Sequence, residues 1–249
     1  MSIVIKSDEE IATMRQAGRI VATVLEVLKL KVRAGMKTEE LDVIAVKEAE
    51  RLGAKLSFKG YHGFPASLCV SVNDEIVHGI PGKRVLREGD IVSLDFGVVF
   101  DGFHGDAAVT VAVGKINSPA ERLMATTEGA LNAGIAVACP GARLGDVSAA
   151  IQHYVESRGY SVVREYTGHG IGREMHEDPQ IPNFGLPGQG PVLQKGMVLA
   201  LEPMVNIGGW RTGLSDNHWT VFTSDGSLSA HFEHTIAITG DEPGILTAL

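Results

Sequence analysis

The sequence predicts an α+β fold made of two similar halves. Helix-type patterns open each half and β-prone runs follow them, with matching glycine punctuation. Gly35 and Gly53 are 18 residues apart, as are Gly141 and Gly159, and Gly141 lies 106 residues after Gly35. We interpret the chain as one domain, residues 1–249, that contains an approximate duplication with halves at about 7–113 and 118–239. Coincidence among short helices is the alternative.

Two helices are predicted for the first half. Ser7 and Glu10 have capping-box spacing, and an apolar stripe at helical period follows them. The first helix should stop before Gly35, because glycine is favoured just beyond a helix end. A second helix should start near Thr38 and end at Gly53. The predicted stripe comprises Ile11, Met14, Ile20, Val21, Val24, Leu25 and Leu28.

The second half repeats this plan. Ser118 and Glu121 again have capping-box spacing, with proline at the first helical position. This helix should run towards Cys139, where Pro140-Gly141 breaks it. A further helix is expected from about Leu144 to Arg158, ending at Gly159.

A hairpin is predicted where Asp101-Gly102 separates the β-prone runs 91–100 and 103–113. In a regular hairpin with this loop, Asp95 faces Ala108, whose small side chain leaves room above it. Asp106 is two residues from Ala108 and shares its face of the sheet. Two carboxylates so placed could bind one metal ion or a close pair. A bulge would shift the register and remove this argument.

Four carboxylates and a histidine lie where apolar residues would be expected. Asp95, Asp106, Glu202 and Glu233 each occur in or beside an apolar run, and His169 lies between glycines. An ionised carboxylate in an apolar interior is very costly unless a cation meets it. Bound divalent metal explains the set most simply, and five residues suit two metals better than one that keeps an open position. Carboxylate with imidazole favours manganese, iron, cobalt or zinc over copper.

Composition limits the function further. The 249 residues are 44% hydrophobic and 21% charged, as in ordinary globular proteins. A net charge of -8 argues against nucleic acid as the main partner. Two cysteines make a disulfide framework improbable and fit a reducing compartment. Because the N-terminus lacks a signal-peptide pattern and no apolar run reaches ~20 residues, we expect a cytoplasmic protein without a membrane segment.

Five segments of the chain resemble the type I methionine aminopeptidases, which have the pita-bread fold. The resemblance runs in order from near the N-terminus to about Thr239. It implies an antiparallel sheet core with outer helices and two pseudo-symmetric halves. The segments are Tyr61-His-Gly-Phe-Pro; Asn73-Asp-Glu-Ile-Val-His-Gly-Ile-Pro; Ser93-Leu-Asp-Phe-Gly with Asp101-Gly-Phe-His-Gly-Asp; Thr167-Gly-His-Gly-Ile-Gly-Arg with His176-Glu; and Leu201-Glu-Pro-Met with Glu233-His-Thr.

The resemblance also implies roles for the metal-type residues. Asp106 and Glu233 are expected to bridge two divalent metal ions. Asp95 should chelate one ion, and His169 and Glu202 should complete the other site. The identity of the ions stays open between cobalt, manganese, iron and zinc.

Catalytic and substrate residues follow from the same resemblance. His176 is expected to polarise the scissile carbonyl and His78 to hydrogen-bond near the scissile nitrogen. Glu202 is a candidate proton shuttle, and the free amino group of the substrate should lie at the metal held by Asp95. Taken singly, the two non-ligand histidines would also fit structural roles. Substrate-binding residues are expected to be Tyr61, Phe64, Cys69, His78, His176 and Trp219.

The chain departs from familiar family members in the expected methionine pocket. Met175 stands where an aromatic residue is common, Phe64 where tyrosine is often seen, and Phe58 where cysteine is often found. These differences leave the shape of the pocket open, but not the reaction.

The implied function is removal of N-terminal methionine from nascent polypeptides that have a small second residue. We expect a monomer without direct nucleic-acid binding, and a contact with the ribosome stays open. One alternative is a pita-bread peptidase that cleaves before proline; such enzymes usually carry a further N-terminal domain, whereas here the core fills the chain. The other is a non-catalytic pita-bread binding protein, which would be expected to lack some of the ligands.

Overall fold

The computed structural model describes residues 2–240 and 242–249. Over these ranges the chain forms four α-helices, α1 (Asp8–Lys31), α2 (Thr38–Arg51), α3 (Ser118–Val137) and α4 (Leu144–Glu156). The fifteen strands of the same ranges are β1 (Lys55–Leu56), β2 (Cys69–Val72), β3 (Glu75–Val77), β4 (Ile91–Phe100), β5 (Phe103–Ala112), β6 (Ser161–Val162), β7 (Thr167–Gly170), β8 (Glu177–Pro182), β9 (Val198–Leu201), β10 (Met204–Asn206), β11 (Thr212–Leu214), β12 (Val221–Thr223), β13 (Ser229–His231), β14 (Glu233–Ala237) and β15 (Gly244–Ile245).

The predicted helix ends are confirmed in three of the four helices. The Ser7–Glu10 capping box is formed in both directions at the start of α1. The prediction for α3 was wrong by one residue: Asn117, not Ser118, caps the helix, and its side-chain oxygen accepts from the Ala120 N–H at 2.9 Å. Asparagine is as strong a cap as serine, so the helix begins one residue earlier in register.

A nine-stranded antiparallel sheet forms the centre of the fold, as predicted. Its strand order is β1-β4-β5-β14-β9-β7-β8, with β2 added to β4 and β15 added to β14. Successive side chains on a strand point to opposite faces. On β4, Leu94 and Phe96 pack into the core beneath α1 and α2, which leaves Asp95 on the opposite face. The same alternation places Leu199 and Leu201 of β9 under the second helix pair.

The two helix pairs cover separate parts of the apolar core. One cluster joins α1 and α2 to β4 and β5 through residues such as Leu28, Leu41 and Leu94. Another joins α3 and α4 to β9 and β14 through Leu123 and Ile151. The helices thus lie against one face of the sheet, and its other face is free to carry polar chemistry.

Matching backbone contacts in the two halves support the interpretation of an internal duplication. Gly35 N–H donates to the Leu86 carbonyl at 2.8 Å, and Gly141 N–H to the Leu193 carbonyl at 2.9 Å. Isolated bridges join Lys37 to Val85 and Arg143 to Val192. All four glycines of the spacing pattern have left-handed backbone angles, with φ between 75° and 90°, which glycine adopts without steric cost.

No helix in the described ranges is both long and apolar enough to cross a membrane.

Candidate active site

The β4–β5 hairpin places two of the predicted metal ligands. Asp95 pairs directly with Ala108 and Gly97 with Asp106, in a register without a bulge. Both features were predicted from the Asp101-Gly102 turn. The Asp106 backbone is held from β14 by the Thr235 hydroxyl, which accepts from its N–H at 3.2 Å and donates to its carbonyl at 2.7 Å.

The neighbouring strand β14 adds Glu233 to the same row. Glu233 pairs with Ala108, so this alanine lies between Glu233 on one side and Asp95 on the other. Direct cross-strand partners have Cβ atoms ~4.5–5.5 Å apart on one face. The small Ala108 side chain therefore leaves the space between the two carboxylates open.

Strands β7 and β9 bring His169 and Glu202 to this face. His169 pairs with Ala200 of β9, and Ala200 pairs in turn with Thr235 of β14. Glu202 directly follows β9, and its Oε1 lies 3.6 Å from His169 Nε2. Residues from both halves of the chain thus meet on one face of the sheet.

All of the residues that the sequence assigned to the site line one cavity of about 220 Å³. The unpredicted part of its lining comprises Phe58 and Met175, which were singled out as departures, and His62. The roles of the assigned residues stay predictions, but their convergence on one cavity is observed. The full lining is Phe58, Tyr61, His62, Phe64, Cys69, His78, Asp95, Asp106, His169, Met175, His176, Glu202, Trp219 and Glu233.

The carboxylates fit a divalent cation. Asp106, His169 and Glu233 each offer a ligand atom within 4.8 Å of the others, and these residues are 5%, 5% and 2% exposed. One oxygen each of Asp95, Asp106 and Glu233 is buried without a hydrogen-bond partner among the described residues. Buried polar atoms are rarely left unpaired, so oxygen ligands for a hard cation account for this arrangement.

Burial also controls protonation in the cluster. It raises the pKa of Asp95 to about 7. Burial, and then the nearby carboxylates, raise the pKa values of Asp106, Glu202 and Glu233 well above the ordinary range. Like charges held together without a cation favour protons, so protons and metal ions would compete for the same oxygens.

The surroundings of His169 favour its neutral form, with one ring nitrogen available as a ligand. Burial, followed by neighbouring His176, lowers the pKa of His169 to about 3. Its Nδ1 lies 2.9 Å from the Gly170 carbonyl, which can only accept. The proton therefore belongs on Nδ1, which leaves the lone pair of Nε2 for a cation.

The two other predicted histidines face the same cavity. His176 Nδ1 is 2.7 Å from the Tyr61 hydroxyl, and its ring centroid is 4.3 Å from that of His169. His78 has a left-handed backbone with φ of 59°, a conformation unusual for a non-glycine residue. Burial, and then His176, lower the pKa of His78 to about 4. Both rings can serve as neutral hydrogen-bonding groups near neutral pH.

An apolar wall adjoins the charged cluster. Phe58, Phe64, Ala66, Cys69 and Met175 form one buried cluster, against which the rings of Tyr61 and Trp219 pack. Phe64 and Trp219 meet edge to face with centroids 5.2 Å apart. The cavity can therefore hold an apolar side chain beside the polar groups.

Sequence reasoning missed His231. This residue lies behind Glu202, with its Nε2 3.6 Å from Glu202 Oε2. The sequence offered no signal for this contact, because His231 ends β13 and Glu233 begins β14, and these strands belong to different sheets.

Comparisons with known proteins identify the family of the chain. The profile of metallopeptidase family M24 matches residues 12–240. The methionine aminopeptidase of Clostridium perfringens is 54% identical over 247 residues, which cover 99% of each chain. Methionine aminopeptidase 1 of Bacillus subtilis is 53% identical over 245 residues, covering 98% of this chain and 99% of the relative.

Solved structures of methionine aminopeptidases and related peptidases match the fold of the chain. The crystal structure of a methionine aminopeptidase from Thermotoga maritima matches with a TM-score of 0.98 and 48% identity, covering 100% of both chains. The prolidase of Pyrococcus furiosus shares the fold, with a TM-score of 0.80 and 20% identity over 99% of this chain and 66% of that one. The chain therefore belongs to metallopeptidase family M24 and, within it, to the methionine aminopeptidases.

Proposed function

We propose that this protein removes the N-terminal methionine from nascent polypeptides with a small second residue, using two divalent metal ions. The observation that supports this most directly is one cavity in which carboxylate oxygens, left without a hydrogen bond to the described residues, adjoin an apolar wall. Such a cavity can bind an uncharged side chain and a polar chain terminus at the same time.

The proposed metal ligands are divided between two ions. Asp106 and Glu233 lie centrally and would be shared, Asp95 would hold one ion, and His169 with Glu202 would hold the other. Cobalt, manganese, iron and zinc all suit carboxylate and imidazole ligands. When bound, such ions act as Lewis acids on a carbonyl and on water.

The side chains around the ligands have proposed roles in hydrolysis. Glu202, which faces the cavity, would accept a proton from the attacking water and return it to the leaving amine. His176, oriented through its Nδ1 by Tyr61, would present Nε2 to the scissile carbonyl. His78 would hydrogen-bond near the scissile nitrogen. Stabilisation of the developing oxyanion is usually the largest catalytic contribution.

The apolar wall is proposed to hold the methionine side chain. Tyr61, Phe64, Cys69 and Trp219 supply aromatic and sulfur surface, which suits a flexible, polarizable thioether. Phe58 and Met175 complete the wall. These two residues distinguish the pocket from that of familiar family members. We propose that methionine nevertheless remains the preferred first residue.

The experiment is a peptide assay with purified protein and added manganese or cobalt. We expect release of methionine from Met-Ala peptides and no cleavage of X-Pro peptides. Cleavage of X-Pro peptides would support the prolidase-type alternative, and no turnover with any divalent metal would support a binding protein. Asp106→Ala is the matched negative control.

Cellular context is part of the proposal. We propose a monomer in the cytoplasm that meets its substrate as the chain leaves the ribosome, without direct nucleic-acid binding. The free state of Cys69 and Cys139 is compatible with a reducing compartment. Cell fractionation would test the cytoplasmic location, and size determination of the native protein would test the monomeric state.

A further inference from the structure

His231 is a buried polar residue whose ring makes no hydrogen bond to the part of the chain that the structure describes. The residue is 1% exposed, and neither Nδ1 nor Nε2 has a hydrogen-bond partner among the described residues. Leaving a buried donor or acceptor unpaired is destabilising. An apolar residue would avoid that cost, so the imidazole at this position requires an explanation.

The backbone holds this ring in a defined place. His231 ends β13 and pairs with Met204 of β10. The Thr110 hydroxyl of β5 accepts from the His231 N–H at 2.9 Å and donates to its carbonyl at 2.8 Å. Ser93 lies 2.8 Å from the same hydroxyl. This chain of contacts ties the His231 backbone to the hairpin that carries Asp95 and Asp106.

The ring lies behind Glu202, outside the cavity lining. Glu202 Oε2 is 3.6 Å from His231 Nε2, while Glu202 Oε1 is 3.6 Å from His169 Nε2. The two carboxylate oxygens are thus turned towards different imidazoles. At 3.6 Å neither pair is hydrogen-bonded, but a small rotation of the carboxylate would bring Oε2 into contact.

His231 is 1% exposed, and a buried charge is costly, so the neutral imidazole is the form that this position accommodates. A neutral imidazole carries one N–H. Nδ1 has no partner among the described residues, and Glu202 faces Nε2, so the proton is most stable on Nε2 when Glu202 is ionised. The ring can then donate to Glu202 without adding a positive charge that would oppose a metal ion.

We propose that His231 is a positioning residue for Glu202, donating a hydrogen bond from Nε2–H to Oε2 so that Oε1 is held towards the cavity and His169. The proposal rests on the proposed function, because it assigns Glu202 to metal binding and proton transfer. Partners of this kind behind a ligand typically change metal affinity or activity 10–100-fold when removed.

Three substitutions separate positioning from simple packing. Glutamine carries its amide N–H near the place of Nε2, whereas asparagine carries it near the place of Nδ1. His231→Gln should keep the contact and His231→Asn should lose it, although both are polar and similar in size. His231→Phe keeps the ring volume and removes every donor.

The measurement is Mn²⁺ affinity by calorimetry, alongside the melting temperature without metal. We expect His231→Gln to stay within ~3-fold of the unsubstituted protein, and His231→Asn and His231→Phe to bind Mn²⁺ ~10- to 100-fold more weakly. In peptide assays at saturating Mn²⁺, kcat should fall for Asn and Phe while KM changes little. Equal Mn²⁺ affinity for the Gln and Asn variants would overturn the proposal, even if the Phe variant does not fold.

Failure of this inference can be told apart from failure of the proposed function. Methionine release by the unsubstituted protein tests the function alone, and Mn²⁺ affinity without peptide tests the contact alone. Release of methionine together with equal affinities for Gln and Asn would leave the function in place and remove the role of His231.

Discussion

Cys69 of β2 is the direct cross-strand partner of Asp95 of β4. Their side chains therefore share one face of the sheet, with Cβ atoms ~4.5–5.5 Å apart. This pairing joins the apolar wall to the carboxylate cluster. Burial, and then Asp95, raise the pKa of the Cys69 thiol well above its usual value. The thiol stays protonated and serves as apolar lining, not as a nucleophile.

Enlarging Cys69 should impair binding of the substrate side chain. We expect Cys69→Leu to lower kcat/KM for Met-Ala peptides ~10-fold or more, since one methylene in a pocket is worth ~1–3 kcal/mol. Most of the change should appear in KM. Steady-state kinetics measures it, with Cys139→Ala outside the cavity as control. Unchanged KM in Cys69→Leu would contradict the pocket assignment.

Ala108 should be intolerant of added side-chain volume for a reason unrelated to the core. Its Cβ lies between Asp95 and Glu233, so Ala108→Val should crowd the ligands and weaken Mn²⁺ binding ~10-fold or more. Ala112→Val, at the half-buried end of the same strand face, should leave Mn²⁺ affinity unchanged. Calorimetry compares the two variants. Equal affinities would show that the space between the carboxylates is not used.

Removing a shared ligand should separate activity from stability. Asp106→Asn should lose more than ~100-fold in kcat/KM, since the carboxylate proposed to bridge the metal ions is lost. In the absence of metal the same variant should melt at an equal or higher temperature, because asparagine is neutral without the proton that the buried Asp106 carboxyl must keep in the folded state. Peptide assays and thermal unfolding in chelator measure the two effects. A strongly destabilised metal-free variant would mean that Asp106 acts chiefly in folding.

The metal-free protein should lose stability as pH rises towards about 7, the folded pKa of Asp95. The raised pKa values of Asp106, Glu202 and Glu233 mean that the folded state holds protons which the unfolded state has already released. The free energy of unfolding then falls by ~1.4 kcal/mol per pH unit for each proton of difference. For Asp95, this loss is complete once pH passes its folded pKa of about 7.

The buried histidines act in the opposite direction at lower pH. The lowered pKa values of His169 and His231 make the folded state less able to bind protons, so their stabilisation is lost as pH falls below the unfolded value of ~6.5. Above that pH they no longer titrate, and only the carboxylates remain. Thermal unfolding in chelator at three pH values tests the slope. Asp106→Asn should show a smaller slope, and a melting temperature that rises with pH would contradict the prediction.

Tyr61 should act through His176. Tyr61→Phe removes the hydroxyl that lies 2.7 Å from His176 Nδ1, and we expect kcat to fall several-fold to ~10-fold because the ring loses its orientation. Tyr166→Phe is the matched control, since Tyr166 meets His78 only through ring edges at 5.8 Å. Steady-state kinetics distinguishes the two. Equal effects would indicate general disturbance of the cavity.

Local signals in the sequence predicted much of the fold. Helix ends follow from caps and glycines within a few residues, so Ser7, Gly35 and Gly53 were sufficient to place α1 and α2. The single error, at Ser118, arose because the neighbouring Asn117 is an equally good cap. The Asp101-Gly102 turn was sufficient to set the β4–β5 register, since a two-residue loop leaves only one regular pairing.

The sequence by itself determined that acidic residues lie where apolar ones would be expected, because such a conflict can be read from each strand separately. Only the tertiary structure decided which strands are neighbours, since pairing of β5 with β14 joins segments more than 100 residues apart. It also decided the place of His231 behind Glu202. No periodicity records that contact, because it depends on β13, β9 and β5 meeting in space, and the free energy of that meeting comes from packing throughout the core.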